Sequence, residues 1–175
     1  MAVSPDITMK ELLELYPGAQ RALFRHFHIG GCASCGFSPG EKLSEVCRRN
    51  DGVQPAEALE KILEAHAADE LILISPADAR SAQSGASLLD IRTREEFEAV
   101  HIEGSQLFSE NLLREMMETW PRERTVIIVD HLGTRSLDAA AYFTGHGFQN
   151  VRALRGGIDA WSREVDPALP RYSVE

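Results

Sequence analysis

Long apolar runs are missing from this sequence. The longest aliphatic stretches, Leu71-Ile72-Leu73-Ile74 and Val126-Ile127-Ile128-Val129, are four residues each, far short of the ~20 a membrane-spanning helix requires. No basic-then-apolar leader opens the chain, so no membrane role and a cytoplasmic location are expected. Positive charge is also scarce: 18 Lys+Arg stand against 27 Asp+Glu, a net charge of −9. The first 68 residues hold 7 basic and 9 acidic side chains; the remainder holds 11 and 18, and every basic residue there is Arg. Neither part builds the basic patch that a phosphate backbone needs, so no nucleic-acid partner is expected. Cysteine is limited to Cys32, Cys35 and Cys47. An odd count without an export signal argues against a disulfide framework and leaves a C-x-x-C pair of the redox-active or metal-binding kind. What is present, 43% hydrophobic and 26% charged residues in 175, suits one ordinary globular domain or a small module joined to a compact one. Nothing in the sequence specifies an oligomeric state.

Two patterns divide the chain, and they predict a helical module over residues 1–68 and an α/β module over 69–175. In the first, Thr8-Met9-Lys10-Glu11 has the form of a capping box, in which hydroxyl and carboxylate satisfy reciprocal backbone N–H groups. Met9, Leu12, Leu13 and Tyr16 follow on one helical face, and Pro17-Gly18 stops the run. A second helix is predicted over Ala19 to Phe27, ending at Gly30-Gly31. Ser38-Pro39-Gly40-Glu41 reads as another capping box, with Leu43, Val46 and Cys47 on the apolar face behind it. Pro55 opens a last helix carrying Leu59, Ile62, Leu63 and His66 at i, i+3, i+4, i+7. So few large side chains predict a small core, marginal without support from the second module.

After residue 69 the period changes. Aliphatic runs at 71–74, 88–91 and 126–129 alternate with helical patterns such as Arg94–Val100 and Ser136–Thr144. Strands too apolar to face water predict a parallel sheet with helices on both faces.

Within this module, Leu88-Leu89-Asp90-Ile91-Arg92, then Glu96-Phe97 and His101-Ile102-Glu103-Gly104-Ser105, precede Gly147-Phe148-Gln149-Asn150-Val151, Leu154 and Gly156-Gly157-Ile158-Asp159-Ala160-Trp161. Over roughly 70–165 this resembles a rhodanese domain, the sulfurtransferase fold. Val100, Glu103 and Ser105 stand where that family's pattern has Gly, Pro and Ala. The resemblance implies that Asp130-His131-Leu132-Gly133-Thr134-Arg135-Ser136 is the active loop, which cradles an anion on successive backbone N–H groups. It implies that Asp90 and Arg92 brace this loop, pairing with Arg135 or His101, and that Trp161 packs in the core. The family's loop opens with the Cys that accepts sulfane sulfur as a persulfide. Asp130 occupies that position, and a carboxylate cannot form a persulfide, so an inactive sulfurtransferase is expected. Asp130 can instead accept the loop's own N–H groups, and an Asp130–Arg135 ion pair is an equal expectation. A rival reading takes Val126–Thr134 as the start of a haloacid-dehalogenase-type phosphatase with Asp130 as nucleophile; Leu132 stands where that pattern needs its second Asp.

Gly30-Gly31-Cys32-Ala33-Ser34-Cys35-Gly36, with Tyr16-Pro17 and Phe24-Arg25-His26-Phe27 upstream, resembles the small helical domain of hybrid-cluster-associated redox-disulfide type, relatives of which head iron–sulfur repair proteins. Cys32 and Cys35 are the redox candidates, able to close a small disulfide ring beside a helix start that lowers a thiol pKa. Zinc or iron–sulfur ligation is the alternative, with His26, His28 and Cys47 the nearby further donors; an incidental pair is the third reading. Cys47 shares an apolar face and reads as a buried inert thiol; His66 reads as core or boundary. No cofactor is expected. The function expected is a redox or sulfur-relay accessory protein with a sulfur-transfer or redox protein partner. A non-enzymatic partner- or anion-binding module and an iron-handling protein are the alternatives.

Overall fold

A computed structural model describes residues 3–30, 36–50 and 52–173, and the chain divides into two compact units, Met1–Leu71 and Ile72–Glu175. Cys32 and Cys35 lie outside the described residues.

The first unit contains α1 (Met9–Leu15), α2 (Ala19–Phe27), α3 (Leu43–Arg49) and α4 (Pro55–Ile72). Both halves of the Thr8 capping box form: Thr8 Oγ1 accepts the Glu11 N–H at 3.3 Å and the Glu11 carboxylate accepts the Thr8 N–H at 3.1 Å. α2 is closed by His28 in the left-handed conformation (φ 57°), whose N–H reaches Phe24 O while the Ile29 N–H reaches Leu23 O. That C-cap geometry puts His28 beyond the helix that carries His26.

The helix predicted to open at Ser38 opens later. Glu41 does accept the Ser38 N–H at 3.2 Å, but residues 39–40 form a turn and α3 begins at Leu43. The reason is tertiary. Lys42 forms an antiparallel bridge with Thr8, and Met9 N–H to Glu41 O at 2.8 Å and Leu43 N–H to Ile7 O at 3.0 Å draw the segment into extended pairing. The core joins Met9, Leu12 and Leu23 to Leu43, Val46, Cys47, Leu59 and Ile62. Leu63 falls off this stripe, 41% exposed, whereas His66 is half-buried edge-on to Tyr16, ring centroids 5.0 Å apart.

The second unit is one five-stranded parallel sheet in the order β1-β5-β4-β2-β3. Its strands are β1 (Leu73–Ile74), β2 (Ser87–Asp90), β3 (Gln106–Leu107), β4 (Val126–Val129) and β5 (Val151–Leu154). The strand expected from residue 71 starts at Leu73, because α4 continues through Ile72. Helices α5 (Pro76–Ala82), α6 (Arg94–Ala99), α7 (Glu110–Thr119), α8 (Arg135–Gly145) and α9 (Gly157–Glu164) complete the unit.

β4 shows why the strands read as continuous apolar runs. Successive side chains point to opposite faces, so Val126 and Ile128 join a core with Met116, Leu137 and Phe143 from α7 and α8. Ile127 and Val129 join a separate core with Ala79, Ile158 and Trp161 from α5 and α9. With helices covering both faces, all four positions of β4 are buried. Among the described residues, no helix is long and apolar enough to cross a membrane.

Candidate functional site

Asp130 follows the last residue of the fully buried β4 and is itself 2% exposed. A carboxylate so placed needs donors, and the loop supplies them: Asp130 Oδ1 accepts the Gly133 N–H and Oδ2 the Arg135 N–H, both at 2.8 Å. Arg135 is the first residue of α8, so the anion also sits favourably at the positive end of an 11-residue helix. The expected Asp130–Arg135 ion pair is not what forms. The contact is through the main-chain N–H, and the Arg135 side chain is solvent-exposed.

The loop is clamped against the start of α9. Asp130 O accepts the Ile158 N–H at 2.9 Å and His131 O the Asp159 N–H at 3.2 Å. Two glycines permit this approach. A Cβ on Gly157 (φ 59°) would lie 2.4 Å from His131 O, and one on Gly133 (φ 83°) would lie 2.6 Å from Gly156 N. Ser136 Oγ is buried behind the loop without a hydrogen-bond partner among the described residues. Leu132 is 55% exposed, and Thr134 is exposed.

Asp90 and Arg92, at the carboxyl end of the neighbouring β2, form a buried ion pair with side chains 0% and 1% exposed. Arg92 Nη2 donates to Asp90 Oδ2 at 2.6 Å and to Val100 O at 2.8 Å, while Nε donates to Asp90 Oδ1 at 2.9 Å. Burial works against the guanidinium charge, but Asp90 and the Tyr172 hydroxyl outweigh it and hold the Arg92 pKa above its ordinary value. The expected pairing with Arg135 or His101 is corrected. Arg92 binds Asp90, the end of α6 and Tyr172, whereas His101 stacks on Phe97 (4.2 Å) with Nδ1 2.8 Å from Phe97 O.

Tyr172 lies beyond the stretch that carried the motifs, and sequence reasoning did not single it out. Its ring stacks on His131 with centroids 4.4 Å apart and planes 13° from parallel. Its hydroxyl accepts from Arg92 Nη1 at 2.7 Å and donates to Glu96 Oε1 at 2.9 Å. Burial opposes ionisation of Glu96, yet the Thr93 N–H and the Tyr172 hydroxyl together hold its carboxyl below the ordinary value. For Tyr172, burial pushes the phenol up, against the pull of Arg92. The neutral phenol therefore contributes stability at pH values below about 10, the ordinary tyrosine pKa. That contribution is lost as pH climbs through the raised folded value. Tyr172→Phe is expected to remove phenolate absorbance that develops above the ordinary tyrosine pKa.

In the first unit, Gln20 Nε2 donates to Gly30 O at 3.0 Å and Arg49 Nη2 to Gly36 O at 2.5 Å, holding the chain on either side of residues 31–35. Arg49 also pairs with Glu41 at 2.9 Å. Cys47 is fully buried and free, and burial pushes its thiol pKa up. Among the described residues no His, Cys, Asp and Glu group of three or more is placed to hold a metal ion.

The sequence pattern of the rhodanese-like domain family matches residues 72–164. The probable adenylyltransferase/sulfurtransferase MoeZ of Mycobacterium tuberculosis is 34% identical over 88 residues, which cover 49% of this chain and 22% of MoeZ. The thiosulfate sulfurtransferase GlpE of Pseudomonas aeruginosa is 34% identical over 96 residues, 54% of this chain and 86% of GlpE. The chain thus spans about a fifth of the one relative's length and most of the other's. Among solved structures, a rhodanese-related protein of Thermoplasma volcanium aligns with a TM-score of 0.45 at 25% identity, covering 53% of this chain and 92% of that one. The human single-domain sulfurtransferase TSTD1 aligns with a TM-score of 0.47 at 21% identity, covering 53% and 96%.

Proposed function

Because the chain belongs to the rhodanese-like domain family, we propose that it is a sulfur-relay or redox accessory protein whose rhodanese-like domain binds rather than catalyses. The observation that carries this reading is the pair of 2.8 Å hydrogen bonds from Gly133 and Arg135 to the two oxygens of Asp130. By resemblance, Asp130 stands where the family's sulfur-accepting Cys stands. Loop donors that would stabilise a thiolate or persulfide serve a buried carboxylate instead, and a carboxylate has no sulfur chemistry to offer. The same saturation disfavours Asp130 as a phosphatase-type nucleophile, since both oxygens are engaged and the side chain is sequestered from an incoming phosphoryl group.

In this reading the reversible chemistry falls to Cys32 and Cys35. Their two thiols would surrender two electrons and two protons to a partner's disulfide, closing one S–S bond here while the partner becomes a dithiol. Sulfur-transfer proteins are the partner class that the names of the relatives support: MoeZ and the uba4 protein of Ogataea parapolymorpha are both described as sulfurtransferases joined to an adenylyltransferase activity.

Two assays on the full chain test it. Thiosulfate:cyanide sulfur transfer is expected at background for the wild-type protein. Thiol counting under denaturing conditions is expected to fall from three to one after mild oxidation of the native protein, the survivor being the buried Cys47; Cys35→Ser abolishes the change. Wild-type turnover of thiosulfate would overturn the non-catalytic assignment, and an unchanged thiol count would overturn the redox role. In the first unit, native-state alkylation of Cys47 is correspondingly expected to be slow, because a buried thiol with a raised pKa offers little thiolate.

A further inference from the structure

The order of the sheet marks a ligand crevice. The chain leaves β2 for β3 on one side and leaves β4 for β5 on the other. In open α/β sheets, ligands bind outside the carboxyl ends of strands at such a switch point. Here that place is framed by Arg92, two residues past β2, by Glu96 on α6, and by His131, two residues past β4. Tyr172 touches all three.

The segment that brings Tyr172 there is fastened along its length. Beyond α9, Ser162 Oγ donates to Leu169 O at 2.5 Å and Arg171 Nε donates to Asp159 Oδ1 at 2.7 Å. His131 Nε2 lies 3.0 Å from Tyr172 O; because a carbonyl only accepts, the imidazole donates from that nitrogen. The arginine beside Asp159 holds its carboxyl below the ordinary value, so this fastening is charged across the neutral pH range. Ring and carbonyl of this one residue are thus both met by His131, and its hydroxyl by Arg92 and Glu96. His131 belongs to the very loop that carries Asp130.

We propose that residues 169–172 form an intrasteric strap: Tyr172 plugs the switch-point crevice, and a ligand or partner reaches His131 and the neighbouring loop only when the strap is released. The contacts define what can displace it. A competitor must stack a ring on His131, place a hydroxyl between the Arg92 donor and the Glu96 acceptor, and offer a carbonyl to His131. An extended protein segment bearing a tyrosine meets all three demands. A simple anion does not, because Arg92 is already neutralised by Asp90 and Glu96 adds a negative wall.

The test uses the full chain and Tyr172→Ala, with preserved folding checked by the urea transition of Trp120 and Trp161. Diethylpyrocarbonate modification, mapped residue by residue by mass spectrometry, reads the closure directly. His131 is expected to react at least about fivefold faster in Tyr172→Ala, while the exposed His101 and His146 keep their wild-type rates. A fluorescent peptide copying residues 169–173, Leu-Pro-Arg-Tyr-Ser, is the competitor probe. It is expected to bind Tyr172→Ala and not the wild-type protein, and a Phe in place of its Tyr should weaken binding by about a hundredfold or more by removing two hydrogen bonds to charged groups. Equal His131 reactivity in the two proteins would overturn the strap. So would a peptide that binds both proteins equally, or neither.

Discussion

Arg92→Met is expected to destabilise the rhodanese-like unit by about 3–5 kcal/mol, the usual cost of stripping one partner from a buried ion pair. Asp90 is 0% exposed, and without the guanidinium its carboxylate keeps, among the described residues, only the Arg92 main-chain N–H at 3.1 Å. Val100 O and the Tyr172 hydroxyl lose a donor as well. Urea unfolding followed by tryptophan fluorescence measures this unit selectively, because the chain's two tryptophans, Trp120 and Trp161, both lie in its cores. Adding Asp90→Leu to Arg92→Met is expected to return a large part of the loss, since the stranded charge rather than the missing attraction is the main penalty. A loss below about 1 kcal/mol for Arg92→Met would place the pair in the class of exposed ion pairs and contradict its burial.

Gly157→Ala is expected to cost a comparable amount, about 3–5 kcal/mol. The left-handed backbone at φ 59° disfavours any side chain by about 1–2 kcal/mol. The new Cβ would also sit 2.4 Å from His131 O and 2.5 Å from Asp130 O. These are backbone atoms that cannot turn aside, so the loop must move off α9 and give up the Ile158 and Asp159 hydrogen bonds. Gly145→Ala is the matched control. It closes α8 with nothing within 4 Å of the added Cβ, and it should be neutral or stabilising by up to about 1 kcal/mol. If both substitutions had the same small effect, the clamp between the Asp130 loop and α9 would be refuted.

Much of this architecture was legible before any coordinate. The Thr8 capping box, α2 to the residue, and the buried β4 each depend on neighbours within a few positions, so periodicity and cap chemistry disclose them. The motifs of 88–161 announced the fold because they encode local turns and strand ends. Errors arose where a distant partner overrode local preference. Ser38 carries a sound capping signal, yet residues 41–43 pair with 7–9 and the helix waits until Leu43. Leu63 fits the apolar stripe but faces water. Asp69 is buried with Arg21 as its partner, though nothing in its neighbourhood of the sequence marks it.

The sequence by itself determined the class of the protein. Its strand and helix periods specify a parallel sheet with both faces covered, and its loop chemistry places a carboxylate, incapable of persulfide formation, after β4. Only the tertiary structure decided what that carboxylate does and what stands in front of it. Asp130 turns to the main-chain N–H groups of Gly133 and Arg135 rather than to the Arg135 guanidinium, because burial at the end of an apolar strand demands the nearest N–H donors while the guanidinium reaches solvent. Tyr172 fills the crevice beside it through contacts 41, 76 and 80 residues away along the chain. No local pattern can announce such contacts, since their free energy exists only once the sheet has brought the ends of β2 and β4 side by side.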